Sequence, residues 1–230
     1  MEIAMKPQLS IIIPAYNEAL RIGETLIAIT NYIKDITYEI IVVDDGSTDN
    51  TIKVLEKYDV KILKNEQNMG KGYSVKRGML EARGDYRLFM DADHSVKIDN
   101  LERFMGYMKN CADIVIASIE VPGATIQDDN HGYRRIFGRL AKWLIRKVAT
   151  PGIYDTQRGF KLFTAKSANI IFPLQRIYRW GFDIDILSIA QKNGLNIKEV
   201  PVEWVNSKAS SVTLSSYFFT LYELVKIKWG

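Results

Sequence analysis

The segment Glu39–Thr51, EIIVVDDGSTDNT, decides the fold because a buried strand runs directly into an acidic turn. Its aliphatic run predicts a strand over 38–43, and 9–15 and 86–90 have the same character. Amphipathic segments at 22–33, 50–58 and 72–82 separate these strands and predict helices. Strands alternating with helices favour an α/β fold with a mostly parallel sheet and flanking helices.

The rest of the chain continues this alternation and then departs from it. Further strands are predicted at 60–63 and 114–117, with a helix at 101–108. After Ser118, the pattern predicts a loop over 121–132, helices over 133–148 and 184–191, and a last strand over 197–204. The end of the chain, 217–229, is predicted to be helical. Nothing in the composition separates two domains, so a single domain is expected over 1–230.

Composition excludes several classes of protein. With 230 residues, 47% hydrophobic and 25% charged, the chain is neither disordered nor fibrous. No apolar run reaches the ~18 residues of a membrane-spanning helix. The N-terminal run breaks at Pro7, so we expect no secretory signal there. The single Cys111 excludes an intramolecular disulfide and fits a reducing compartment.

Positive charge is concentrated in one segment. The net charge is +4, but 130–154 holds six Lys and Arg residues and no acid, so the rest nets −2. On the predicted helix 133–148, one face carries Arg135, Arg139, Lys142 and Arg146. This face is either solvated or lies on an anionic membrane surface, and Trp143 at its boundary favours the membrane. The negative balance elsewhere argues against a nucleic-acid partner.

Acidic or polar clusters follow three of the predicted strands: Tyr16-Asn17-Glu18, Asp44-Asp45-Gly46-Ser47 and Asp91-Ala92-Asp93. Each alone is compatible with a turn or a helix cap, provided by Ser47 or Asp49 in the second. The carboxyl ends of parallel strands share one edge of the sheet, where ligands bind. Converging carboxylates are costly unless a cation offsets them. The sequence therefore predicts a divalent-metal and nucleotide site at this edge.

In this order, the motifs resemble those of glycosyltransferase family two, which has the Rossmann-like GT-A fold. The resemblance rests on SIIIPAYNE (10–18), EIIVVDDGSTDNT (39–51), NMGKGYSVKRGML (68–80) and LFMDADHS (88–95). The later DTQRGFKLF (155–163) and RWGFD (179–183) are similar to segments of dolichyl-phosphate β-glucosyltransferases, more than of the related mannose synthases. This implies inverting transfer of a hexose, glucose from UDP-glucose, to dolichyl or polyprenyl phosphate. Mannose from GDP-mannose and transfer to a glycan hydroxyl remain alternatives.

The resemblance also implies roles for individual residues at the donor. Those implied to bind the nucleotide sugar are Pro14, Tyr16, Glu18, Val43, Asp45, Lys71, Asp91, Ala92 and Asp93. Val43 and Asp45 would read the base and ribose. Asp93, together with Asp91, would bind Mg²⁺ or Mn²⁺, and Asp91 would also contact the sugar or ribose. His94 follows this pair and could touch the metal, but we expect it to be a solvated loop residue.

On the acceptor side, the implied phosphate ligands are Arg135, Arg139, Arg158 and Lys208, with Arg135 also counted as catalytic. Lys161 could hold phosphate oxygens as well, but both Arg158 and Lys161 are by default expected to be exposed surface charges. Asp183 lies where relatives acting on hydroxyls have a catalytic base. It would otherwise orient the sugar or a cation, or cap the following helix.

The family pattern also divides the chain and places it in the cell. We expect a nucleotide-binding half over 1–118 and an acceptor-binding half over 119–230. A dolichyl-phosphate acceptor implies work at a membrane. Without a spanning segment, we expect the protein in the cytoplasm, bound peripherally to the cytoplasmic face of that membrane.

Overall fold

The computed structural model describes residues 6–127, 143–205, 223–224 and 226–227. The first elements are β1 (Leu9–Ala15), α1 (Ile22–Tyr32), β2 (Tyr38–Asp44), α2 (Thr51–Leu55), β3 (Lys61–Lys64), α3 (Lys71–Glu81), β4 (Tyr86–Met90), α4 (Asn100–Lys109), β5 (Ile114–Ser118) and β6 (Thr125–Gln127). They are followed by α5, helical over 143–148, then β7 (Phe160–Thr164), α6 (Ala165–Leu174), α7 (Phe182–Lys192), β8 (Ile197–Pro201) and β9 (Glu203–Val205).

In the described part of the chain, seven strands form one sheet in the order β3-β2-β1-β4-β7-β5-β8. The first four run parallel, and β8 runs parallel to β5. Among the described strands of this sheet, only β7 is antiparallel to its neighbours, β4 and β5. The predicted α/β fold with a mostly parallel sheet is confirmed. Because Ala15 pairs with Asp44, the carboxyl ends of β1 and β2 lie side by side.

Two apolar layers cover the sheet, one on each face. Alternation along β1 places Ile11 and Ile13 in the layer under α1 and α4, and Ile12 in the layer under α3, α6 and α7. Every residue of β1 is buried, which explains why the strand is continuously aliphatic rather than alternating. These layers hold the strand ends, and the loops that follow them, in fixed positions.

Three features of the second half differ from the sequence-based expectations. Strand β7 and helix α6 were not predicted, and the expected loop 121–132 contains β6, which pairs with β9. The expected strand 197–204 is interrupted, because the chain leaves β5 at Pro201 and joins β6 from Glu203. These strands are three to five residues long, too short to show a period, so tertiary pairing defines them.

The predicted helix 133–148 is observed only at 143–148, since 133–142 lie outside the described residues. From the expected helical end 217–229, residues 223–224 and 226–227 are described and helical, and Leu224 and Ile227 are buried in the layer under α7. Among the described residues, no helix combines the length and hydropathy needed to cross a membrane.

Candidate functional site

The loops after β1 and β2 are linked by side-chain hydrogen bonds. Asn17 has a left-handed backbone (φ 56°), and its Oδ1 accepts from the backbone N–H groups of Thr48 (2.9 Å) and Asp49 (3.3 Å). In return, the N–H of Asn17 donates to Ser47 Oγ at 2.9 Å. The two loops therefore form one unit at the sheet edge. Ser47 and Asp49 serve this link. The side chain of Asp49 also accepts from the N–H of Thr51, the first residue of α2, at 2.9 Å, whereas Asn50 makes no capping side-chain bond.

Asp45 holds a third loop against this unit. It is 3% exposed, and its Oδ1 accepts from Asn65 Nδ2 (2.7 Å) and from the N–H of Met69 (2.9 Å). Its Oδ2 accepts from the N–H of Gly70 at 2.8 Å. These donors belong to the chain itself, so Asp45 attaches the NMGKG loop to β2. Its implied contact to base and ribose stays a prediction.

The glycines of the NMGKG loop are required by close packing. Gly70 has a φ of 101°, and a Cβ there would lie 2.5 Å from the carbonyl oxygen of Tyr178. A Cβ at Gly72 would lie 2.5 Å from the Cβ of Phe182. The loop is therefore wedged between Asp45 and the segment that leads into α7, and α3 begins at the next residue, Lys71.

The carboxylates of the DxD pair follow β4 and interact electrostatically with Glu18. Asp93 Oδ1 accepts from both the N–H (3.0 Å) and the Oγ (2.6 Å) of Ser95. Burial raises the pKa of Glu18, Arg21 opposes this through an ion pair at 2.7 Å, and Asp93 and Asp91 raise it further. Glu18 and the DxD pair are therefore electrostatically coupled at this edge, whereas Asp45 is bonded to the NMGKG loop.

Lys71 connects the DxD pair to the second half of the chain. Its Nζ lies 2.6 Å from Asp91 Oδ1. Burial disfavours the charged form of Lys71, but Asp91 and Asp183 outweigh it and raise the pKa of the ammonium. Lys71 is therefore a fixed positive charge beside Asp91, and its implied role in binding the nucleotide sugar stays a prediction.

Sequence reasoning missed the contact that Gly159 makes with Asp91. The Asp91 N–H donates to the carbonyl oxygen of Gly159 at 3.0 Å, just before β7 pairs with β4. A Cβ at Gly159 would lie only 2.0 Å from Asp91 Oδ2. Glycine is therefore required here so that the carboxylate can lie against the backbone. The glycine in DTQRGF can be read from the sequence, but its contact with Asp91 cannot.

The expectation that Lys161 is an exposed surface charge is wrong. Lys161 has no exposed area, and its Nζ lies 2.5 Å from Asp183 Oδ1 and 2.5 Å from the carbonyl oxygen of Arg158. Asp183 does not cap the helix, because Gly181 occupies that position and Asp183 lies in the first turn of α7. Burial raises the pKa of Asp183, while Lys161 and Lys71 oppose this effect.

The predicted phosphate ligands divide into two groups. Arg158 is mostly buried: it forms an ion pair with Asp155 at 3.2 Å, and its guanidinium lies 4.9 Å from the centre of the Trp204 ring. The expectation that Arg158 is an exposed surface charge is therefore also wrong. Arg135, Arg139 and Lys208 lie outside the described residues.

The remaining predicted donor residues lie at the same edge. Pro14 and Val43 are paired across β1 and β2, and Tyr16 is 45% exposed at the end of β1. Ala92 is buried, and its carbonyl oxygen accepts from Thr25 Oγ1 at 2.7 Å.

His94 differs from the solvated residue expected from the sequence. It is half-buried, and its Nε2 accepts from the N–H of Ile98 at 3.0 Å. Burial lowers the pKa of the imidazole, which agrees with a neutral ring accepting this bond.

The described part of the chain contains no group of three or more His, Cys, Asp or Glu side chains arranged to hold a metal. An ion at this edge would rest on the DxD carboxylates and complete its coordination with water and phosphate oxygens.

Comparisons with known proteins identify the family. Residues 10–169 match the model of Glycosyl transferase family 2. A dolichyl-phosphate beta-glucosyltransferase of Trichomonas vaginalis is 36% identical over 94% of this chain and 69% of its own length. An enzyme of the same name from Dictyostelium discoideum is 36% identical over 96% of this chain and 74% of its own.

Solved structures agree on the fold. Glucosyl-3-phosphoglycerate synthase from Mycobacterium tuberculosis, in complex with Mn²⁺, UDP and glucosyl-3-phosphoglycerate, superposes with a TM-score of 0.75 at 18% identity, covering 96% of this chain and 80% of that one. The GT-A fold predicted from the motifs is therefore confirmed. From its sequence motifs, its fold and its relatives, the chain belongs to glycosyl transferase family 2.

Proposed function

We propose that this protein transfers glucose from UDP-glucose to dolichyl phosphate or another polyprenyl phosphate, with inversion to a β-linked product. Similarity to dolichyl-phosphate beta-glucosyltransferases over nine-tenths of the chain supports the acceptor and the sugar. The observation that carries the proposal is the position of Asp91, which is held between Lys71 and Gly159 at the end of β4. A carboxylate and an ammonium at the carboxyl end of β4 support the proposal, because ligands of such sheets bind at that edge.

On the donor side, Asp93 and Asp91 would hold a divalent ion, Mg²⁺ or Mn²⁺. The ion would neutralise the diphosphate as it leaves. A pair of carboxylates suits such an ion because Mg²⁺ keeps several waters and binds substrate phosphates. The solved complex of the mycobacterial enzyme with Mn²⁺ and UDP supports this proposal. Lys71 adds a positive charge that the chain itself supplies.

On the acceptor side, a phosphate monoester needs no general base. Its second pKa is about 6, so it is largely a dianion at neutral pH. It would attack the anomeric carbon from the face opposite the diphosphate, which inverts the configuration. Asp183 fits this reaction because its Oδ1 is already bonded to the Lys161 ammonium. The same contact weighs against a glycan-hydroxyl acceptor, for which Asp183 would have to act as the base.

A lipid acceptor requires access to a membrane, and we propose peripheral binding at the cytoplasmic face. Trp143 and Tyr154 are 45% and 52% exposed. Lys147 lies 5.0 Å from the Trp143 ring and Arg146 lies 4.9 Å from the Tyr154 ring. Exposed aromatic rings paired with cations are typical of surfaces that lie in a lipid headgroup region. No nucleic-acid partner is proposed.

The direct test is a transfer assay with purified protein and Mg²⁺. Labelled UDP-glucose or GDP-mannose is incubated with and without dolichyl phosphate, and label in the organic phase is counted. We expect lipid-dependent label from UDP-glucose only. Label from GDP-mannose instead would assign the sugar as mannose. No lipid label, together with measurable UDP binding, would move the acceptor to a glycan hydroxyl.

The metal site is tested separately by Asp93→Ala. We expect UDP affinity in the presence of Mn²⁺ to fall about tenfold or more, or ~1.4 kcal/mol, because the metal-dependent part of binding is lost. Calorimetry with and without Mn²⁺ measures this difference. Asp59→Ala, which removes an exposed carboxylate after α2, is the matched control. Unchanged metal dependence in Asp93→Ala would refute the assignment.

A further inference from the structure

The position of Lys161 is not explained by stability. Phe160 and Leu162 belong to the apolar layer under α1 and α4, and Phe163 belongs to the layer under α7. Lys161 pairs with Phe89 across β7 and β4 and lies on this second side, with no exposed area. Apolar residues can usually replace a buried ion pair with no loss of stability or a gain. A lysine here therefore needs another reason.

The charged side chains near Lys161 provide that reason. Its partner Asp183 interacts electrostatically with Lys71 as well, and Lys71 in turn pairs with Asp91 at 2.6 Å. The two ammonium groups lie 5.5 Å and 5.4 Å from the centre of the Phe89 ring. Four charges of alternating sign thus connect the middle of β7 to the DxD pair. Clusters of coupled charged side chains of this kind are typical of functional sites.

We propose that Lys161 is a positioning residue for glycosyl transfer: it fixes the Asp183 carboxylate, which holds Lys71 beside Asp91. The inference rests on the proposed function, since Asp91 and Lys71 are the groups that would meet the donor. Asp183 is then an electrostatic anchor, not a proton acceptor. An apolar residue at 161 leaves Asp183 without its closest counter-charge in a buried place, so Lys71 loses a fixed anionic partner.

The test compares Lys161→Met, Asp183→Asn and the double variant with wild type. The control is Lys166→Met, an exposed lysine in α6. Two rates are measured with UDP-glucose and Mg²⁺: transfer to dolichyl phosphate, and release of free glucose without acceptor. Circular dichroism and thermal melting give the folded fraction used to normalise both rates.

We expect Lys161→Met to lower kcat about tenfold, with KM for UDP-glucose within about threefold, because orientation is lost rather than binding. The double variant should lose no more than the worse single variant, since both act through one contact. Lys166→Met should match wild type. If Lys161→Met alone does not fold, the double variant, which removes both charges, is compared with Asp183→Asn. Equal rates for these two then support the inference.

Two results would overturn the inference that Lys161 is a positioning residue. If Lys161→Met keeps the wild-type kcat per folded molecule while melting earlier, Lys161 is only structural. If the losses of the single variants multiply in the double variant, the two residues act independently. Failure of the proposed function is distinguishable: wild type would then transfer no glucose to dolichyl phosphate, while the glucose-release rates of wild type and variants still decide the role of Lys161.

Discussion

Two regions of the site each bury a carboxylate, but they compensate it differently. At the donor edge, formed by the loops after β1 and β2 and the NMGKG loop, neutral N–H donors surround Asp45. At the β7 edge, formed by residues 158–161 and 181–183, the ammonium of Lys161 meets Asp183. Neutral donors fix a loop without adding charge. A lysine instead adds a positive charge, which also interacts with other charged side chains nearby.

The local backbone explains the difference. The N–H groups of Met69 and Gly70 lie just before α3, where helical N–H groups have no intrahelical partner. Asp45 accepts from them, so the helix start and the carboxylate satisfy each other. Asp183 also lies in the first turn of a helix, α7. It is buried beside the apolar layer under α7, and the ammonium of Lys161, from β7, bonds to its Oδ1.

The largest effect is expected from breaking the β7 edge with Gly159→Ala. The new Cβ would lie 2.0 Å from Asp91 Oδ2, so Asp91 must move. A displacement of about 1 Å in a reacting site costs about 100-fold in rate. We expect a loss of that order in kcat for glucose transfer, measured by the lipid-extraction assay.

The matched control for this prediction is Gly106→Ala. Gly106 lies in α4, and a Cβ there meets nothing within 4 Å. It should keep full activity and gain a little stability, since alanine favours helix over glycine. If Gly159→Ala stays within threefold of wild type, the position of Asp91 does not limit the reaction.

Asp45→Asn breaks the donor edge, with a smaller effect expected. An amide group cannot accept from all three donors, so at least one buried N–H faces another donor. We expect a loss of about 1–3 kcal/mol in the free energy of unfolding, measured by urea denaturation. Asp85→Asn, in an exposed ion pair with Lys6, should change it by less than about 0.5 kcal/mol. Equal losses would show that burial of Asp45 is unimportant.

The smallest effect concerns His94, which lies on the loop after β4 between the two edges. Its pKa is held below the ordinary 6.5 by burial, so below that pH the unfolded state binds more protons. The stability it contributes is present above pH about 6.5 and is lost as pH falls through the lowered pKa. His94→Asn, which tolerates the φ of 54°, should flatten the curve of unfolding free energy below pH about 6.5.

Urea denaturation of wild type and variant over pH about 5 to 7.5 measures this difference. His131 is present in both proteins, so its titration cancels. Parallel curves would show that the pKa of His94 is the same in the folded and unfolded protein, contrary to its burial and to the bond that it accepts from Ile98 N–H.

The two regions also differ in how well their strands could be predicted from the sequence. Strands β1 and β4 were predicted with the bounds that the structure shows, because continuous aliphatic runs in a parallel sheet are buried on both faces. Strand β7 was missed. It has five residues, and Lys161 interrupts its apolar pattern. Its identity as a strand comes from pairing with β4 and β5.

The sequence by itself determined the α/β class, the order of the acidic strand ends and the family, because these depend on local runs and motifs. Only the tertiary structure decided which side chains meet. Inserting β7 antiparallel between β4 and β5 brings Gly159 against Asp91 and carries Lys161 to Asp183. Register between distant strands sets these contacts, and no local period in the chain encodes it.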